Sequence, residues 1–228
     1  ASVQITPKTL EKYAGVRKYR YGIMEENNRV GVVNGLAYTE AGGDLLPIEA
    51  VTMPGKDGKV SYTGNLQDVM KESIVVAEML IKSRAHLFGI EQAKLEKRAI
   101  HVHVPEGAVP KDGPSAGAAM VTAIVSAMTG IPVRRDIAMT GEITLRGRVM
   151  PIGGVKEKLL GAHRAGITTV FIPAENQHHL FEVPRRVLKA MRIVLVDSAD
   201  QVLREAIRFP NADAVFGPRP ATLEYRNG

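Results

Sequence analysis

Lys111-Asp112-Gly113-Pro114-Ser115-Ala116-Gly117 is a tight turn, and it runs directly into Ala118-Ala119-Met120-Val121-Thr122-Ala123-Ile124-Val125-Ser126-Ala127-Met128-Thr129-Gly130, a segment small and apolar nearly all round. A helix without a polar face belongs inside a protein. The run from Ser115 to Met128 is shorter than the roughly 20 residues that cross a membrane, and it carries Ser115, Thr122 and Ser126. The stretch therefore predicts a buried core helix with a hydroxyl at its mouth, and no membrane span.

Outward from that helix, the chain alternates between the two regular periods. Ala99 to Val104 puts Ile100, Val102 and Val104 on one face and His101 and His103 on the other, as a strand does. Further strands are expected at DIAMT, RVMPIG, TTVFIP and RIVLV, and helices over about 155–165, 175–182 and 199–208. Upstream, GVVNGLAY, LLPIEAVTM and KVSYTG are short β-rich runs, with Lys56-Asp57-Gly58-Lys59 reading as a hairpin turn. Asn65 is expected to cap an amphipathic helix to about His86, with Val69, Ile74, Val76, Met79 and Leu80 on its apolar side. The mixture predicts an α+β domain of mixed sheets with packed helices. The domain is expected over residues 21–208, after a linker at 1–20 and before a loose tail at 209–228 whose prolines break any period.

With 228 residues, 45% of them hydrophobic, the chain can bury a sizeable core, which argues against disorder. Zero cysteines exclude a disulfide framework and a thiolate zinc site, and the simplest compartment is a reducing, cytoplasmic one. The first residues lack an initiating Met and a signal-peptide pattern, which reads as an excised fragment. The net charge of +6 raises nucleic acid as a partner, but the basic residues are scattered and Trp is absent, so DNA binding is expected to be secondary at most.

Ser115 has a plain structural explanation as an N-cap. Its surroundings also suit acyl transfer. Gly113 and the Ala116-Gly117 pair let a peptide backbone approach, and N–H groups around Gly113, Ser115 and Ala116 can face an oxyanion. A serine hydroxyl is a poor nucleophile until a base takes its proton. His101 or His103 with Asp112 would make a conventional triad. Lys158 is the alternative, because Val155, Leu159, Ala162 and Ala165 share one side of a helix that Lys158 flanks while Lys156 points away. A desolvated lysine loses its proton more easily and can act as a base. Between these segments, Thr140 can orient such an amine and Glu142 can accept a hydrogen bond or pair with a base, although both also fit ordinary turn chemistry.

PKDGPSAG at 110–117, AMTGEITLRG at 138–147, PIGGVKEKLLGAHRAG at 151–166 and GLAYTEAGGDLLPIEA at 35–50 resemble the signature segments of bacterial A-type Lon proteases. The resemblance runs from about residue 25 to about residue 208. It implies the Lon proteolytic-domain fold, which is ribosomal protein S5 domain 2-like, and a serine endopeptidase with a Ser/Lys dyad and no histidine in it. Ser115 and Lys158 match the dyad, Thr140 the threonine that hydrogen-bonds the lysine, and Asp112 an aspartate that can hold inactive conformations. Unfolded protein substrates, a homohexameric ring and an AAA+ ATPase module in cis are likewise what the resemblance implies. That module would carry ATP and magnesium. No GxxxxGK[ST] loop occurs in this sequence, and Gly58-Lys59 is followed by Val60 where Ser or Thr should bind magnesium, so no cofactor is expected in this domain.

Overall fold

The computed structural model describes residues 4–6, 9–14, 27–56, 58–218 and 223–225. Among them the elements in chain order are α1 (Leu10–Ala14), β1 (Val32–Thr39), β2 (Gly42–Pro54), β3 (Val60–Thr63), α2 (Asp68–Arg84), α3 (Gln92–Glu96), β4 (Arg98–His103), α4 (Gly117–Thr129), β5 (Ile137–Met139), β6 (Glu142–Ile143), β7 (Val149–Met150), α5 (Val155–Arg164), β8 (Thr169–Pro173), α6 (Arg185–Ala190), β9 (Arg192–Val196), α7 (Ala199–Ala206), α8 (Ala212–Phe216) and β10 (Leu223–Glu224), with 3-10 turns at Pro114–Ala116 and Ala174–Glu182. One sheet runs β10-β9-β8-β5-β1-β2-β4-β3, and β6 pairs with β7 in a separate ribbon. Its central neighbours β1, β5, β8 and β9 are parallel, whereas β2 is antiparallel to both β1 and β4. This is the mixed sheet with packed helices that the sequence predicts.

Period two along the strands divides the core between the faces. Val33, Ile48, Met139, Phe171 and Val194 pack with α2, α4 and α7, while Leu36, Ala138, Val170, Ile172 and Ile193 pack with α5 and α6. Helix α4 lies inside the first cluster, which is why it tolerates no polar face. Its hydroxyls are satisfied locally, Thr122 donating to Ala118 O and Ser126 donating to Ile131 O while accepting from Gly31 N–H.

Several expectations need correction. The turn at Lys56–Lys59 exists, with Lys59 N–H donating to Lys56 O, although Asp57 lies outside the described residues. It does not join paired strands, because β4 occupies the edge of β2 that a hairpin would need and pairs with β3 on its other side. Asn65 does not cap α2; it has a left-handed φ of 56° and the N-cap is Gln67. The buried stripe of α2 is Met70, Ile74, Ala77, Leu80 and Ile81, a regular i, i+4, i+7, i+11 seam with Leu80 beside it, which leaves Val69 and Met79 exposed. The segment near 175–182 is a 3-10 turn. Part of the tail is folded, since β10 pairs with β9 and Phe216 of α8 packs against Phe88 and Phe209. Most of the 1–20 linker lies outside the described residues.

Candidate active site

Ser115 sits inside the 3-10 turn Pro114–Ala116, between Gly113 at φ 102° and the first residue of α4. The N-cap of α4 is Ala116, and no side chain caps it. The Ser115 hydroxyl is therefore not spent on capping, contrary to the plainest reading of the sequence. The main chain fixes the turn instead: Gly141 N–H donates to Ser115 O at 2.8 Å and Ala118 N–H to Gly141 O at 3.0 Å.

Lys158 comes from the opposite side. Helix α5 starts after Gly154, and Val155, Leu159 and Ala162 bury its apolar side against β1 and β2. Lys158 is 4% exposed, whereas Lys156 points to solvent, as the helical spacing predicts. The approach of α5 to β2 is as close as backbone permits. A Cβ at Gly161 would stand 2.5 Å from Gly43 C, and one at Gly43 would stand 1.8 Å from Glu157 O. Gly161→Ala is thus expected to push α5 off the sheet, lowering stability by about 1–3 kcal/mol as overpacking does. Because Lys158 is one turn away, activity per folded molecule should fall as well. Thermal melts and turnover at a temperature where both proteins are folded check this, and a variant with parent-like values for both would show that the contact is dispensable.

The two sides meet at Thr140, 1% exposed at the end of β5. Lys158 Nζ donates to Thr140 Oγ1 at 3.2 Å, and Thr140 Oγ1 donates to Ser115 O at 3.2 Å. Burial pulls the Lys158 amine down from 10.5 to about 8. No hydrogen bond joins Lys158 directly to the Ser115 hydroxyl in this arrangement. Ser115 and Lys158 both line a cleft of about 790 Å³, with apolar walls from Leu36, Leu46, Met70, Val109 and Ile152.

The other sequence candidates separate. Asp112 lines the cleft, but its Oδ1 accepts from Met70 N–H at 3.1 Å, at the start of α2, and does not bond Lys158. His101 and His103 face away from the buried side of β4 and hydrogen-bond to Ser61 and Thr63 of β3, so no triad with Ser115 forms. Glu142 lies on β6 and is not among the cleft-lining residues. Among the described residues no cluster of three or more metal-ligating side chains is gathered.

Two buried polar residues near the site escape sequence reasoning. Asn176, 1% exposed, accepts from Ile152 N–H at 2.9 Å and donates to Ile152 O at 2.8 Å, clamping the loop ahead of α5. Lys111, 9% exposed, donates to three backbone carbonyls. Nothing local in the sequence marks Asn176, and Lys111 is visible only as part of the serine motif.

A hydroxyl on a turn and a buried amine, facing one open apolar cleft on an α/β scaffold, define a hydrolase-like site. The chain belongs to the family of Lon protease (S16) C-terminal proteolytic domains, whose model matches residues 4–209. It is 57% identical over 99% of its length to Lon protease 3 of Sorangium cellulosum, 58% identical over 91% to a Lon protease of Azospirillum brasilense, and 61% identical over 90% to a Lon protease of Brucella abortus. It covers 27%, 25% and 25% of those proteins, so the chain spans about a quarter of the length of the curated relatives it matches. The domain is a serine endopeptidase. No helix among the described residues is long and apolar enough to cross a membrane.

Proposed function

We propose that this domain cleaves polypeptides through a Ser115/Lys158 dyad. The observation that carries the reading is the buried Lys158 amine, held by Thr140 and opening on the same cleft as Ser115. With its pKa at about 8, roughly a tenth of the lysine is neutral at pH 7. Neutral Lys158 takes the proton from Ser115, whose oxygen attacks the scissile carbonyl. The ammonium then returns that proton to the leaving amine, and the acyl-enzyme is hydrolysed by water that the same lysine deprotonates. N–H groups at Gly113, Ser115 and Ala116 are the candidate oxyanion donors, each such donor contributing about 3 kcal/mol. The hydrogen bond between serine and lysine is expected to form with substrate in place, since catalytic contacts often tighten only then.

In this reading the substrates are unfolded or damaged proteins in the cytoplasm, bound extended so that main-chain pairing serves many sequences. The domain needs no cofactor of its own. ATP dependence, magnesium, an AAA+ module in cis and a hexameric ring belong to the whole protein.

A serine-directed fluorophosphonate tests the dyad. Mass spectrometry should place the adduct on Ser115, and the labelling rate should rise about tenfold per pH unit below pH 8 and level off above it. An adduct elsewhere, or an inflection near 6.5, would replace the lysine with a histidine base.

A further inference from the structure

We propose that Lys111 is a positioning residue for this active site, its ammonium locking the loop that carries Ser115 into the shape of one cleft wall. The inference rests on the serine assignment above. A lysine ammonium has three N–H donors and no acceptor. Here Nζ reaches Glu106 O at 2.7 Å, Gly64 O at 3.0 Å and Val109 O at 3.1 Å, so donors and acceptors match in number and every partner is main chain. The backbone of Lys111 continues the same knot: its N–H donates to Asn65 O at 3.1 Å and its O accepts from Gln67 N–H at 2.8 Å. One residue therefore ties the 64–67 segment to the 106–111 loop.

Backbone strain supplies a second, independent observation. Among the described residues the non-glycine positions with positive φ are Asn65 at 56° and Glu106 at 65°. Both carbonyls accept from Lys111, that of Asn65 from the backbone N–H and that of Glu106 from the ammonium. Strained conformations persist only where surrounding contacts over-determine them, and they concentrate at functional loops. The strained loop is a wall of the catalytic cleft, since Glu106, Val109, Pro110, Asp112, Pro114 and Ser115 line it. Immediately after Lys111, Asp112 anchors to α2 through Met70 N–H, and the serine turn follows. An apolar replacement of Lys111 removes the charge that gathers these carbonyls, and the strained residues relax.

Lys111→Met keeps length and removes the ammonium. At a temperature where it is folded, its kcat/KM on an unstructured peptide should fall at least tenfold, in keeping with the effect of small misplacements near reacting groups. The pH inflection at about 8 should stay, because Lys158 is untouched. Hydrogen exchange should quicken at the amides of Lys111 and Gln67 while α4 stays protected. The chain has no native cysteine, so Lys111→Cys can be alkylated specifically with 2-bromoethylamine to rebuild a lysine-like ammonium, which should restore kcat/KM to within about threefold of parent taken through the same cycle. Parent-like turnover in Lys111→Met, exchange that quickens throughout the molecule, or failure of the aminoethyl group to restore activity would each overturn the proposal, as would failure of both variants to fold, which would make Lys111 a determinant of global stability. Failure of the serine assignment looks different: the parent itself would then carry no phosphonate adduct on Ser115.

Discussion

Replacing Lys158 with methionine should give a domain that is more stable than the parent at neutral pH and unable to cleave peptides. The stability half follows from the lowered pKa. Folding moves the amine from 10.5 to about 8, so between those values the unfolded chain binds more protons than the folded one, and stability rises with pH. Below pH 8 the folded state bears the full penalty of a buried ammonium, about 3 kcal/mol. As pH rises through 8 the penalty shrinks, and above 10.5 it is gone. Methionine keeps the buried volume and removes the titrating group, so its melting temperature should exceed the parent's by several degrees at pH 7, with the gap closing toward pH 10.5. The activity half follows from the loss of the base that Thr140 holds at the cleft, and turnover should drop by about 10³-fold or more. Lys158→Arg separates charge from basicity: it retains a cation but cannot lose the proton at working pH, so it should be equally inactive. Lys156→Arg, on the exposed side of α5, serves as the control. An active Lys158→Arg, or a stability gap that does not change with pH, would sink the assignment.

A residue that costs stability where it sits also explains which parts of this protein the sequence reveals. Lys158 is legible because its setting is local: a helix repeats every 3.6 residues, so Val155, Leu159 and Ala162 fix which lysine turns inward. Helix α4 is legible for the same reason, its lack of any polar face requiring burial on all sides. The beginning of α2 is not, because Asn65 has the composition of a cap while its main chain is conscripted by Lys111 into a left-handed turn. The β2–β3 turn misleads because the strand that separates them, β4, arrives after two intervening helices. Asn176 holds the amide and carbonyl of Ile152, and Lys111 joins the carbonyl of distant Gly64 to those of Glu106 and Val109 in its own loop, and no side-chain pattern records where a backbone group will be. His101 and His103 show the converse: residue types suited to catalysis, alternating correctly on a strand, yet turned toward β3 hydroxyls by a register that only the sheet determines.

Ser115→Ala should abolish turnover while leaving the melting temperature within a few degrees of parent. The usual objection to such a test is that a serine at a helix start stabilises by capping, so its loss costs about 1 kcal/mol. That objection does not hold here, since the cap position of α4 is Ala116 and it receives no side-chain bond. What holds the turn is Ser115 O, which accepts from Gly141 N–H and from Thr140 Oγ1, and alanine keeps that carbonyl. The Lys158 hydrogen bond to Thr140 is also retained, so the pH dependence of stability should match the parent's. The chemistry, in contrast, loses the atom that attacks. Removing the nucleophile of a serine peptidase lowers kcat by on the order of 10⁶-fold, leaving only what binding and oxyanion stabilisation supply. Peptide turnover followed over hours, thermal melts across pH and phosphonate labelling read by mass spectrometry form one experiment on one variant. Turnover within a hundredfold of parent, or an adduct that survives the substitution, would move the nucleophile away from Ser115.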